Sequence, residues 1–330
     1  MSEQLVEVKD LKVTYYQNGV ETPVVRNVSF EIKKNETLGL VGESGSGKSV
    51  TSKAIMRLIA EPPGKIANGE ILFEGKNLLK MKEKQMQKVR GKDIAMIFQE
   101  PMTSLNPLYT CGSQIAEAIL LHNKCSKQEA WERAVEILKM VGVPSPEKRA
   151  QSYPHELSGG MRQRVMIAMA LSCNPRLIIA DEPTTALDVT IQAQILDLLR
   201  NLKDKINSSI MLITHDLGVI AEMADYVVVM YAGRVVEKGT AQEIFANPAH
   251  PYTIGLMASK PMVGKKVDKL YSIPGKVPNP INMPNYCYFK DRCEMCVEGC
   301  QGEYPHMIQL SPTHMVSCYR YYGKEDAQNG

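Results

Sequence analysis

The chain has 330 residues, 44% of them hydrophobic and 23% charged, as in a folded globular protein with one large and one smaller domain. A net charge of +3 is too small to indicate binding to nucleic acid, and no apolar run is long enough to cross a bilayer. The first residues lack the features of a signal peptide, so we expect a cytosolic protein with reduced cysteines.

Two strands are predicted near the start of the chain. Residues 5–13 alternate between apolar and polar types, and residues 24–32 give a second strand. Tyr15 follows the first of them. Strands favour aromatic residues, so Tyr15 fits a half-buried strand position, but a tyrosine just ahead of a nucleotide site can also stack on adenine.

The stretch from Gly42 to Ser49 reads Gly-Glu-Ser-Gly-Ser-Gly-Lys-Ser and fits the phosphate-binding loop at all four fixed positions. A short apolar run over 37–41 predicts a buried strand before it, and residues 50–59 predict a helix after it. Backbone N–H groups and the helix N-terminus would bind phosphate, Lys48 would reach the outer phosphates and Ser49 would bind magnesium. A glycine-rich turn without a ligand is the alternative. The loop residues expected to hold nucleotide are Gly42, Ser44, Gly45, Ser46, Gly47, Lys48 and Ser49.

A helical insertion is predicted after the next strand. Residues 94–98 form that strand, which ends at Gln99, and a loop rich in Pro, Ser and Asn follows. Ser126 and Glu129 make a capping box for a helix that Gly142 ends. We place this helical subdomain at about 104–165.

A second small-residue turn, Ser158-Gly159-Gly160, precedes a helix predicted to reach about residue 172. A helix N-terminus of this kind is a plausible second anion site. The same turn also fits an ordinary helix start.

Two further core strands are predicted to end in polar residues. The strand over 177–180 ends in Asp181-Glu182, and the strand over 210–213 ends in Thr214-His215. Open α/β sheets bind ligands at such strand ends, where Asp181 could hold magnesium and Glu182 could polarise a water molecule. The alternatives are a solvated acidic turn and a structural histidine. Residues 226–237 predict a hairpin.

Taken in order, these motifs resemble the nucleotide-binding subunit of an ATP-binding-cassette transporter over about residues 5–239. The resemblance implies an α/β P-loop cassette with an antiparallel β subdomain and a helical subdomain. It implies that Tyr15 stacks on adenine, and that Gln99 senses the γ-phosphate and joins Ser49 and Asp181 at magnesium. Glu182 would be the general base, and His215 would contact the γ-phosphate. Ser158, Gly159 and Gly160 would complete the ATP site of a second, homologous cassette, with Met161 standing where many members have glutamine.

The C-terminal part resembles the ATPases of oligopeptide, dipeptide and nickel importers, through His250-Pro251-Tyr252 and the proline-rich run near residue 274. This implies domains at 1–240 and 241–330, and an ATP-hydrolysing motor for peptide import at the cytoplasmic face of the membrane. Its partners would be a second ATPase, two membrane permeases and a solute-binding protein. A nickel or metal-chelate importer is the alternative, and a non-transport cassette ATPase is a further one.

Five of the eight cysteines lie between residues 287 and 318. Reduced thiols at this density are either metal ligands or buried small hydrophobic residues. The resemblance implies a 4Fe-4S cluster at Cys287, Cys293, Cys300 and Cys318, in a small Cys-rich module. Cys296 is an alternative ligand, and zinc is an alternative metal whose usual spacing fits less well. His306 and His314 are weaker candidates for ligands and fit surface or packing positions.

Overall fold

A computed structural model describes residues 3–17, 19–185, 187–259 and 271–323. Its strands are β1 (Gln4–Gln17), β2 (Val20–Lys33), β3 (Thr37–Val41), β4 (Gly64–Phe73), β5 (Lys76–Asn77), β6 (Ile94–Ile97), β7 (Leu177–Asp181), β8 (Ser209–Ile213), β9 (Tyr226–Tyr231), β10 (Arg234–Thr240), β11 (Ile308–Gln309) and β12 (Met315–Val316). Its helices are α1 (Lys48–Ile55), α2 (Glu83–Val89), α3 (Pro101–Ser104), α4 (Cys111–His122), α5 (Lys127–Met140), α6 (Pro146–Ala150), α7 (Gly159–Leu171), α8 (Val189–Ile206), α9 (Leu217–Met223), α10 (Ala241–Ala246) and α11 (Pro251–Ala258).

Packing divides the chain into two compact units. The first unit, called here the helical unit, contains Ile32–Thr37 and Lys80–Ile213. The second, called the loop unit, contains Gln4–Glu31, Leu38–Leu79 and the described residues from Thr214 onwards. The C-terminal segment, residues 271–323, packs as part of the loop unit. The small Cys-rich module that the resemblance implies stays a prediction. The predicted domain limits at 240 and 241 stay a prediction.

The helical unit is built on three parallel strands. β7 pairs with β6 on one side and with β8 on the other, and every residue of the three strands is buried. Such strands read as continuous apolar runs because both faces of the sheet are covered. The Ser126 hydroxyl accepts the Glu129 N–H at the start of α5, so the capping box is confirmed.

The loop unit contains an antiparallel sheet with the order β2-β1-β4-β5. It also contains β3, which pairs in parallel with β9, and the predicted hairpin of β9 and β10. Ala232 and Gly233 have φ of 46° and 83° at the tip of this hairpin, as a tight hairpin turn requires. β12 of the C-terminal segment adds to the edge of β10, and β11 pairs with β12.

One predicted boundary was wrong. The helix after the phosphate loop begins at Lys48 and ends at Ile55, four residues before the predicted end at Ile59. Arg57 adopts φ of 51°, which a continuing helix does not allow, and the Leu58 side chain is exposed rather than buried. Across the described ranges, no helix combines the length and the apolar character needed to span a membrane.

Candidate active site

The phosphate loop needs glycine at three of its positions. Gly42 is buried with φ of 153°, and a Cβ atom there would lie 2.2 Å from the carbonyl oxygen of Met230. Gly45 and Gly47 have φ of 81° and 95°, values that L-residues with side chains rarely adopt. The loop therefore follows a path that the backbone can take only with glycine at these positions.

Lys48 lies inside the loop. Its Nζ donates to the carbonyl oxygen of Gly42 at 2.7 Å and to that of Glu43 at 3.1 Å, and the side chain is buried. Gly47, the N-cap of α1, brings no side chain to the first N–H groups of the helix. A buried ammonium group and a helix N-terminus without a side-chain cap both favour a bound anion. That these residues hold nucleotide stays a prediction.

The acidic pair lies where the sequence predicted, at the end of β7. Asp181 is buried as the last residue of the strand, and Glu182 follows with φ of 47°. The N–H of Glu182 donates to the carbonyl oxygen of Ile213 at 2.8 Å. The neighbouring strand β8 thus stabilises the left-handed backbone conformation of Glu182. Backbone strain of this kind is common at functional sites, because it directs a side chain away from the sheet.

Gln99 and Glu182 lie in contact although 83 residues separate them. The Gln99 Nε2 atom donates to Glu182 Oε2 at 3.0 Å, and the Thr185 hydroxyl donates to the same oxygen at 2.9 Å. Two donors to one carboxylate oxygen fix its orientation. Thr185 was not among the predicted site residues.

The Ser158-Gly159-Gly160 turn begins α7. Ser158 is the N-cap, and its hydroxyl accepts the Met161 N–H at 3.4 Å. Ser158 and Gly159 are exposed. Further along the helix, Gln163 donates to the carbonyl oxygen of Pro183 at 2.6 Å, which ties α7 to the segment after the acidic pair. The ordinary role of a helix start is thus confirmed, and its exposed face leaves the second role open.

Tyr15 and His215 belong to the loop unit. Tyr15 is half-buried on β1, opposite Gly64 of β4, which fits the strand interpretation. His215 is exposed two residues after the end of β8. The adenine and γ-phosphate roles of these two residues stay predictions.

Sequence reasoning missed three residues that hold the phosphate loop. The Glu43 carboxylate binds Arg292 of the C-terminal segment, and the Glu43 N–H donates to the Tyr252 hydroxyl. Glu43 occupies a position where the loop pattern accepts any residue. In the sequence, Tyr252 stands out only as part of the His250-Pro251-Tyr252 motif. An arginine 249 residues away gives no local signal for such a contact.

The C-terminal cysteines differ in exposure. Cys287, Cys300 and Cys318 are buried, Cys293 is half-buried and Cys296 is exposed. Burial raises the pKa of the Cys287 thiol to about 12, with a further contribution from the neighbouring thiols of Cys300, Cys318 and Cys293. Even so, within the described residues no three or more His, Cys, Asp or Glu side chains are arranged to hold a metal ion.

Both histidines of this segment have partners of another kind. His314 Nε2 lies 2.7 Å from the buried Glu237 carboxylate, and His306 Nδ1 lies 2.7 Å from the Tyr322 hydroxyl. Their interpretation as packing and surface residues therefore agrees with the structure.

The fold and the loop together place the chain among the P-loop nucleotide-binding proteins. The sequence model of the ABC transporter family matches residues 25–185, and that of the oligopeptide/dipeptide transporter C-terminal region matches residues 236–300. The chain belongs to the ABC transporter family, and it is an ATP-hydrolysing subunit that uses ATP and Mg²⁺.

Similar proteins cover almost the whole chain. The oligopeptide transport ATP-binding protein OppD of Bacillus subtilis is 56% identical, over 96% of this chain and 88% of its own length. The dipeptide transport ATP-binding protein DppD of Lactococcus lactis is 51% identical, over 96% and 91%. A solved dimeric structure of an ATP-binding cassette with ADP and Pi is 30% identical with a TM-score of 0.65, over 72% of this chain and 98% of that one.

Proposed function

We propose that this chain is the ATP-hydrolysing motor of a bacterial peptide importer. Relatives at 51 to 56% identity that carry oligopeptide or dipeptide transport names support the substrate class. The main support for hydrolysis is the contact of Gln99 and Thr185 with Glu182. Their two hydrogen bonds orient its carboxylate, the proposed general base, at the end of β7.

Residues 42–49, Tyr15 and His215 bind the nucleotide itself in this proposal. The N–H groups of Gly45, Gly47 and the start of α1 hold the phosphates, and Lys48 moves its ammonium group from backbone carbonyls to phosphate oxygens. Tyr15 stacks on adenine, and His215 contacts the γ-phosphate. Ser49, Gln99 and Asp181 would hold Mg²⁺, which neutralises charge on the phosphates when it is bound.

Glu182 performs the proton chemistry. Its carboxylate accepts a proton from the water molecule whose oxygen attacks the γ-phosphorus. The bond from the γ-phosphorus to the bridging oxygen breaks, and ADP is the leaving group. The hydrogen bond from Gln99 ends when Gln99 turns to the nucleotide, which frees one lone pair of Glu182 for the water.

The assembly we propose has two cassettes, two membrane permeases and a solute-binding protein, at the cytoplasmic face of the membrane. Ser158, Gly159 and Gly160 contribute the N-terminus of α7 to the ATP held by the second cassette. The exposure of Ser158 and Gly159 supports this arrangement, because these two residues are accessible to a partner. Closure of the pair on two ATP molecules drives the permeases through alternating access.

The test of this proposal is Glu182→Gln in the assembled transporter. Loss of a general base lowers the hydrolysis rate by on the order of 100-fold or more, whereas ATP affinity should stay close to that of the wild type. Steady-state ATP hydrolysis, nucleotide affinity and uptake of a labelled oligopeptide measure the three properties. Near-normal turnover removes Glu182 from the role, and uptake of nickel in place of peptide overturns the substrate class.

We further propose that Cys287, Cys293, Cys300 and Cys318 hold a 4Fe-4S cluster, with Cys296 as an alternative ligand. The donor set supports this, because burial, and to a lesser extent the neighbouring thiols, raise the pKa of Cys287 and of Cys318, and a bound cationic centre would favour their thiolate forms. A cluster spreads its ligands over several iron atoms and does not need them to converge on one ion. Its role would be structural.

Metal analysis of anaerobically purified protein tests the cluster. We expect iron and acid-labile sulfide in similar amounts, a brown colour, and loss of both in Cys293→Ser with ATP affinity retained. If the protein is colourless and contains stoichiometric zinc, the site is a zinc site and the cluster proposal is wrong. Protein with neither metal would leave the thiols as packing residues.

A further inference from the structure

Glu43 makes hydrogen bonds through its side chain and through both of its backbone groups. Its carboxylate accepts hydrogen bonds from both terminal nitrogens of Arg292, at 2.8 and 3.1 Å. Its N–H donates to the Tyr252 hydroxyl at 2.8 Å. Its carbonyl oxygen accepts from Lys48 Nζ at 3.1 Å and from the Ser46 N–H at 3.2 Å. One residue therefore connects the phosphate-binding lysine to two side chains from the distant C-terminal part of the chain.

Arg292 is itself held in a fixed orientation. The side chain is 6% exposed, and its Nε donates to the carbonyl oxygen of Pro274 at 2.8 Å. One terminal nitrogen also donates to the Tyr231 hydroxyl at 3.3 Å, and the guanidinium lies 5.7 Å from the Tyr231 ring centre. A bidentate pair with a buried, multiply bonded arginine is geometrically specific, unlike a surface ion pair.

Tyr252 is fixed by neighbouring rings. Its ring centre lies 4.7 Å from that of Tyr231 and 5.5 Å from that of Phe289, and the side chain is fully buried. The N–H of Tyr252 donates to His250 Nδ1 at 3.0 Å, which begins α11. The hydroxyl that holds Glu43 thus has little freedom to move.

The charges explain why the loop needs this arrangement. A glutamate in a loop that binds polyphosphate places a negative charge beside several others, which disfavours binding. The Arg292 guanidinium compensates that charge, and its two hydrogen bonds keep the carboxylate on the side of the C-terminal segment. An arginine side chain stays protonated at any pH at which the protein is folded, so the compensating charge is permanent.

We propose that Arg292 is a positioning residue for ATP binding: it neutralises Glu43 and holds the phosphate loop from the C-terminal segment. It touches no substrate itself and acts only through Glu43. The inference rests on the proposed role of residues 42–49 in binding ATP.

The experiment compares four variants in the full-length subunit with its transporter partners: Arg292→Met, Glu43→Gln, the double variant, and Lys290→Met as a matched control. Lys290 lies in the same helical turn as Arg292, but its ammonium group lies over the Tyr286 ring. Affinity for labelled ATP and kcat at saturating ATP are measured separately.

We expect Arg292→Met to weaken ATP binding by about tenfold or more, because it leaves the Glu43 carboxylate uncompensated. Glu43→Gln should have a smaller effect, because it removes the charge itself. The double variant should recover most of the loss of Arg292→Met, to within about threefold of Glu43→Gln. At saturating ATP, kcat of Arg292→Met should stay within about twofold, because the chemical step does not involve Arg292.

Two results would overturn the proposal. One is an ATP affinity of Arg292→Met equal to that of Lys290→Met. The other is a double variant that binds ATP as weakly as Arg292→Met, since a purely structural loss would not be repaired by removing the Glu43 charge. If Arg292→Met does not fold, Arg292→Lys is measured instead. This variant keeps the positive charge but loses the bidentate contact with Glu43, and an unchanged ATP affinity would refute the positioning role.

Lys48→Ala separates this inference from the proposed function. If Lys48→Ala leaves ATP affinity unchanged, the loop is not the nucleotide site and the proposed function fails. If Lys48→Ala weakens binding while Arg292→Met does not, only the positioning role of Arg292 fails.

Discussion

Two glycine-containing turns of this molecule each begin a helix, but they are built differently. The phosphate loop at Gly42–Gly47 begins α1, and the Ser158-Gly159-Gly160 turn begins α7. In the first, a Cβ atom on Gly42 would lie 2.2 Å from a backbone oxygen. In the second, apart from the helix itself, no described atom lies within 4 Å of a Cβ position on Gly159, and its φ lies outside the left-handed range.

The difference indicates what each turn is for. The phosphate loop is shaped by its own unit, through Met230, Tyr252 and Arg292. No described atom near position 159 requires a glycine there. In the function proposed above, the missing side chain leaves room for the ATP that a second cassette brings against α7.

The largest effect should come from the same substitution made in both turns. Gly42→Ala should destabilise the protein by about 3 kcal/mol or more, because the new methyl group meets a carbonyl oxygen that cannot move aside. Gly159→Ala should change stability by less than about 0.5 kcal/mol. Denaturant unfolding of both variants measures the contrast, and equal effects would remove the distinction between the two turns.

Lys48→Ala tests the first turn for ligand binding. Loss of a charged hydrogen-bond donor to phosphate should weaken ATP affinity by about 10- to 100-fold. The binding of labelled ATP to the isolated subunit measures this effect. Arg164→Ala, which removes a cation of α7 bonded to Gln194, is the control and should bind ATP normally.

Ser158→Arg tests the second turn for a partner. A bulky side chain at the exposed N-cap of α7 should weaken ATP-dependent dimer closure by about 10-fold or more, while ATP affinity at the loop of the same subunit is retained. Crosslinking or sizing of the ATP-bound Glu182→Gln protein reports closure. A Ser158→Arg protein that dimerises normally would contradict the two-cassette arrangement.

The smallest effect is a pH dependence of stability due to His250. This residue begins α11, the helix that carries Tyr252 and thereby anchors the phosphate loop. Burial lowers the pKa of His250 to about 4, from an ordinary value of 6.5. Between these values the unfolded chain binds a proton that the native protein does not, so native stability falls as the pH falls from 6.5 towards 4. The loss due to His250 should be about 1 kcal/mol between pH 7 and pH 5.5.

The matched variant for this prediction is His250→Asn, which keeps an acceptor for the Tyr252 N–H but does not titrate in this range. Thermal unfolding across the pH range should show a shallower decline for the variant than for the wild type. Parallel curves would mean that His250 does not titrate as its burial indicates. The carboxylates of Glu237 and Glu243 are present in both proteins and cancel in the comparison.

Much of the site could be predicted from the sequence because its chemistry lies in local patterns. The phosphate loop, the acidic strand end after β7 and the capping box at Ser126 each need only a few neighbouring residues. The end of α1 could not be predicted, since the apolar spacing continues to Ile59 while Arg57 turns the chain. The domain limits, the nucleotide contacts and the cluster ligands stay predictions.

The loop at Gly42–Ser49, the order of the motifs and the strand ends that carry Asp181 and Glu182 could all be predicted from the amino-acid sequence. They depend on glycine geometry, apolar periodicity and strand polarity, which act over a few residues. The contact of Gln99 with Glu182 and that of Arg292 with Glu43 became known only from the folded chain. Such contacts join side chains 83 and 249 residues apart, and no local pattern records them, because only the folded chain brings an isolated polar residue to its partner.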